Sequence, residues 1–191
     1  MSKITLAPDV SGSATFTIAS PGTSTDRTLT LPDNSGTLLS NASTAGFPAG
    51  SVLQVVYADY GTETSNSTST FADTGLTATI TPTSATSKIL VLFSQNGVFK
   101  TVSNTALLLK LLRDGSVIFN IHDIGASTND TSLNSIGAIA GTYLDAPATT
   151  SAVTYKTQFA SRANTAAVYV QAYGSNSGYT RSSFTLMEIA A

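Results

Sequence analysis

The 191-residue chain has no cysteine, no tryptophan and a single histidine. Without cysteine there is neither a disulfide framework nor a thiolate metal site, so stability has to come from packing, and the redox compartment is not legible from thiols. Charge is also scarce: Asp, Glu, Lys and Arg together make up 10% of the residues, and the net charge is −2. The Lys and Arg residues are scattered, and the basic stripe that follows a phosphate backbone is missing, so nucleic acid is not an expected partner. No uncharged apolar run approaches the roughly 18 residues of a spanning helix, and no apolar h-region follows the opening MSKITLAPDVSG. The expectation is a chain made in a cytoplasm, with no membrane insertion.

Catalytic signatures are missing as well. The sequence holds no phosphate-binding glycine loop, no dinucleotide fingerprint, no HExxH, no EF-hand loop and no G-x-S-x-G elbow. His122 and Asp123 are adjacent, but neighbouring strand residues point to opposite faces, so the pair is not expected to form a base and its orienter. Asp123 with Asp130 is a weak candidate for an oxygen-ligand cation site. The N-x-S/T triplets at Asn41, Asn66 and Asn129 are what chance supplies in so Ser- and Thr-rich a chain. The expected protein is not an enzyme, with no catalytic residues, no metal and no cofactor.

Thr, Ser, Ala, Val and Gly dominate, a composition that fits pleated, half-buried surfaces better than helices. The fold class expected is all-β. Residues 1–40 hold two candidate strands, ATFTIA and RTLTLP, joined by SPGTSTD. Phe16 and Ile18 share one face, as do Leu29 and Leu31, and Leu38 and Leu39 close the segment. A lone two-stranded hairpin is marginal in water, so the missing surface should come from other chains. Three copies wound about a shared axis would turn these rows inward and pair the open strand edges. Residues 41–50 are small and polar and read as a linker.

From residue 51 to 191, eight strand patterns recur between turn signals, the spacing of a sandwich or barrel. Asp114-Gly115 sits between two apolar runs and marks a tight hairpin, which overrides a two-turn helix at 106–113. Several strands are apolar on both faces. Leu107, Leu109 and Leu111 share one side, with Leu108 and Leu112 flanking Lys110 on the other. Val168, Val170 and Ala172 alternate with Tyr169, Gln171 and Tyr173, and Phe184 and Leu186 alternate with Thr185, Met187 and Ile189. One buried face suffices for a sandwich, so the second implies self-association. Leu108, Leu112, Tyr169, Tyr173, Met187 and Ile189 are the expected subunit-interface residues. The polar stretches 61–70 and 124–133 are expected to be solvated loops.

Three stretches, SGSATFTIASPGTSTDRTLTLPDNSGTLL (11–39), TSTFADTGLTATITPTSATSKILVL (68–92) and SSFTLMEIAA (182–191), resemble structural proteins of tailed bacteriophages, marine and cyanobacterial phages especially. The first is similar to a module of fibre and virion proteins. The others resemble a jelly-roll knob like the tumour-necrosis-factor and complement globular-head domains. The resemblance implies a homotrimer on the virion surface, assembled in the bacterial host cytoplasm. Its N-terminal β module (1–40) would attach or trimerise, with a jelly-roll β-sandwich knob at 51–191. A capsid-decoration (cement) protein or short head spike is the role it implies first. The implied partners are the chain itself and the major capsid protein or another virion protein. A tail-fibre knob that binds a host glycan or receptor is the alternative, and a carbohydrate-binding module a more distant one.

Overall fold

The computed structural model describes residues 47–103, 105–125, 134–172 and 180–191, together with Gly22. The chain divides into two units, Met1–Leu38 and Leu39–Ala191. Phe16, Ile18, Leu29, Leu31, Leu38 and Leu39 all lie outside the described residues, as do the 1–40 module and most of the 41–50 linker.

The described residues contain ten strands and no helix: β1 (Val52–Tyr60), β2 (Thr64–Asn66), β3 (Ala72–Ile80), β4 (Lys88–Lys100), β5 (Leu107–Arg113), β6 (Ser116–Gly125), β7 (Asn134–Asp145), β8 (Val153–Ser161), β9 (Val168–Val170) and β10 (Ser182–Ile189). Two antiparallel sheets result. One runs β1-β10-β4-β7, with β9 and β2 continuing past the end of β10, and the other runs β3-β8-β5-β6. Apart from the short β2 and β9 and the β5–β6 hairpin, successive strands alternate between the two sheets, an arrangement compatible with a β-sandwich. The expected hairpin is present: Asp114 and Gly115 have φ of 48° and 84°, the left-handed pair that matches the twist of its flanking strands.

The core forms where the two sheets meet. Leu76, Ile80, Leu111, Val153 and Tyr155 come from one sheet, and Ile89, Val91, Phe93, Phe184 and Leu186 from the other. Each side contributes alternate residues, as the period of two dictates. A second cluster around Val98, Leu107, Leu109, Phe159, Val168 and Val170 fills the other end.

Several inward positions are polar, against the pattern, and each is held by hydrogen bonds. Asp145 accepts two bonds from Arg113 Nη1, at 2.9 and 2.8 Å, and a third from the Tyr155 hydroxyl at 2.7 Å, which ties the two sheets together. Burial and the neighbouring carboxylate hold the Tyr155 phenol far above its ordinary pKa. Deeper in, Ser182 Oγ accepts from Gln95, Gln171 and the Asn96 N–H, and Thr157 donates to Gln95 Oε1.

Two expectations need correction. The 61–70 stretch is not a plain solvated loop: it contains β2, and Asn66 is buried, with its amide donating to the Thr70 and Phe159 carbonyls. The alternation read across 168–173 stops at Val170. Gln171 takes φ 54° and turns its side chain inward, because its N–H bonds the Asn96 carbonyl and Ala172 N–H that of Gly97. Gly97 itself has φ 61°, and a Cβ there would stand 2.5 Å from Ala172 N, so only glycine permits this approach. At the end of the 41–50 stretch, Gly50 N–H bonds the Ala190 carbonyl.

Glu188, fully buried on the inner side of β10, gives a measurable consequence. Its Oε1 accepts from the Thr83 N–H and hydroxyl at 2.7 and 2.8 Å, and its Oε2 from Gln54 at 2.6 Å. The Ser87 hydroxyl lies within electrostatic reach without a hydrogen bond of normal geometry. Burial pushes the carboxyl up, but these donors together outweigh it and hold it below its ordinary 4.5. A depressed carboxyl contributes stability that is present above its unfolded value and is lost as pH falls through its folded one. Asp59 and Asp73, also depressed, add to the same acid limb. Glu188→Gln is therefore expected to lower the urea midpoint at pH 7 and to lose less than wild type between pH 5 and 3. Parallel pH curves for the two proteins would contradict this.

Candidate functional site

The outer face of the β1-β10-β4-β7 sheet is where exposed and half-buried apolar residues collect with no other strand of the described residues packed over them. Strand register brings them side by side. Val55 stands opposite Met187, Met187 opposite Leu90, and Leu90 opposite Leu144, giving an apolar row across all four strands. The next row is Tyr57, Thr185, Leu92 and Thr142, and the third is Asp59, Ser183, Ser94 and Ala140. Val55, Tyr57 and Leu144 are 56%, 65% and 52% exposed. Charge appears only at the margins. Lys88 lies at one end of the face, and at the other Asp59 is paired with Arg181.

The face is not flat. Ser94, Ala140 and Ser183 are short, and with Leu92, Thr142 and Thr185 they line a hollow over β4, β7 and β10. Gly141 beneath it leaves room for the Phe93 ring on the core side, where a Cβ would come within 2.6 Å. Strands about 4.8 Å apart and rows about 6.8 Å apart make a patch on the order of 20 Å by 20 Å. Its apolar part is the first row with Tyr57 and Leu92 of the second, since Asp59, Ser183 and Ser94 are polar, and the largest apolar patch of a protein surface is often functional.

Of the expected interface residues, Met187 and Ile189 lie half-buried on this face. Leu108 is half-buried on the outer side of the other sheet, beside Lys110, whose ammonium sits over the Phe71 ring. Leu112 is 3% exposed and covered within its own chain, because the β5–β6 register shifts beside it. Tyr169 is half-buried and packs edge-on against Phe99. Tyr173 lies outside the described residues. Val55, Tyr57, Leu90 and Leu144 were not anticipated, although the same-side spacing of Val55 and Tyr57 in SVLQVVYA was a usable signal.

His122 is exposed on β6, Asp130 lies outside the described residues, and no group of three His, Asp or Glu side chains is gathered among the described residues. No helix among them is long and apolar enough to cross a membrane. What the face offers chemically is exclusion of water against another apolar surface.

No protein-family model matches the chain, and neither does any curated protein. Among solved structures it is similar to the infectious bursal disease virus VP2 subviral particle, at 11% identity and a TM-score of 0.36, over 81% of this chain and 37% of that chain. The match thus spans little more than a third of that protein. A likeness at this score assigns neither a family nor a role.

Proposed function

We propose that the chain is a non-enzymatic surface protein of a tailed-phage virion, a homotrimeric decoration protein or short head spike. In this reading residues 1–40 attach it and the jelly roll projects outward. The resemblance of three stretches to phage structural proteins motivates the virion setting.

The observation that carries the projecting arrangement is strand polarity. The chain enters β1 at Val52 and leaves β10 at Ile189, and these two residues pair with each other. The tight Asp114-Gly115 turn and the connections 81–87 and 146–152 join strand ends at this same end. The connections 61–71, 101–106, 126–133 and 162–181 all join strand ends at the opposite one. Attachment through the N-terminal side would leave the strand ends at Tyr60, Lys100, Gly125 and Ser161 facing away from the Val52 end of the sandwich. The same layout favours, as a second reading, a tail-fibre knob that meets a host glycan or receptor.

Quantitative mass spectrometry of purified particles tests the proposal. Decoration predicts hundreds of copies, and a tail appendage on the order of a dozen to a few dozen. Absence from washed particles would overturn both. Light scattering of the isolated protein is expected to give three times the 19.6 kDa of one chain.

A further inference from the structure

We propose that Tyr57 of one subunit seats in the hollow over Leu92, Ala140 and Thr142 of a second copy of this chain. The inference rests on the self-associating reading above and names the contact that would hold the copies together.

Tyr57 projects from β1, an edge strand, and is 65% exposed. The hollow lies across β10, β4 and β7 of the same sheet. Within the chain Tyr57 stands opposite Thr185, one strand spacing of about 4.8 Å from the β10 edge of the hollow, yet at 65% exposure its ring is not seated there. A projection and a recess on one face, left unfilled by each other within the chain, can be complementary between chains. An aromatic ring with a polar tip suits such a recess. It buries a large area at the cost of two torsions, and the Thr142, Thr185 and Ser183 hydroxyls on the rim give its O–H acceptors.

The rest of the face argues for a copy over a foreign partner. Its three rows carry no charge away from the margins, so nothing in them selects an oppositely charged protein or an anionic surface. A patch on the order of 400 Å² is about half of what each partner in a standard interface contributes. In a ring each subunit offers both the Tyr57 edge and the hollow, which together make up that patch, so the contact can close the assembly while the remaining buried area comes from surfaces outside it.

The absence of cysteine makes the test clean. Full-length Tyr57→Cys and Ala140→Cys chains are co-expressed and treated with a short bismaleimide. Covalent dimers are expected from the mixed oligomers and not from either variant alone, since a 57-to-140 link in the mixture can only join two chains. In parallel, Tyr57→Asp is expected to weaken association by roughly 30-fold or more in light scattering, the effect of losing an interface anchor. Its fold should be untouched, because the side chain is exposed in the single chain. An oligomer that survives Tyr57→Asp and gives no mixed cross-link would overturn this contact while leaving self-association standing. A wild-type monomer at micromolar concentration would overturn both.

Discussion

Removal of residues 1–40 is expected to leave a folded, soluble knob that no longer joins the particle. The remaining residues are enough to stand alone, since a domain of about 150 residues buries close to 70% of its unfolded surface. The cut falls beside the boundary between the two units at Leu38 and Leu39, and well before β1 begins at Val52. The described end of the linker keeps its own bonds: Gly50 N–H to Ala190 O at 2.8 Å, and Ala190 N–H to Ser51 O at 2.9 Å. No core residue of the knob is lost. Circular dichroism and thermal melting should therefore match those of the full chain, while co-sedimentation with particles falls to background. Exchanging Ile18 and Leu29 for aspartate in the full chain should do the same, by placing charges where the apolar rows are expected to meet. Truncated protein that decorates particles at wild-type occupancy would move the attachment site to the knob.

The second large effect belongs to the core. Phe184→Ala is expected to destabilise the protein by about 3–5 kcal/mol, the usual cost of removing a buried phenylalanine. Phe184 is fully buried between the sheets, with its ring edge-on to Phe93 at 6.5 Å and 71°. The cavity would open beneath β10, the strand that joins β1 to β4, and neighbours fixed by two ladders have little freedom to collapse into it. Leu144→Ala is the matched control. Leu144 is half exposed, so the same truncation of an apolar side chain should change single-chain stability by only about 0.5 kcal/mol. Urea unfolding at one fixed protein concentration separates the two, since the proposed subunit association would add a concentration-dependent contribution. A Phe184→Ala loss below about 1 kcal/mol would mean that the two sheets do not pack through this ring.

Much of the knob was legible in its sequence because the relevant physics is local. Alternation at a period of two marks β1, β3, β4, β5, β8 and β10, and it assigns Phe184 and Leu186 to the inside without knowledge of any partner strand. Asp114-Gly115 announces its hairpin because a two-residue turn needs positive φ, which most side chains resist. The two-sided apolar character of β5 and β10 was also visible, and with it the expectation of something beyond a single sandwich. Register and sheet membership were not visible. Val55, Met187, Leu90 and Leu144 come from four separate parts of the chain, and they form one row only because three antiparallel pairings align them. Asn66, Gln95, Gln171 and Glu188 read as outward-facing by their polarity, yet each is buried. Their hydrogen-bond partners lie on other strands or connections, and what makes burial tolerable there is partner geometry, which no window of sequence contains. Strand identity is a property of neighbours along the chain; the shared face, and the polar groups locked behind it, are properties of neighbours in space.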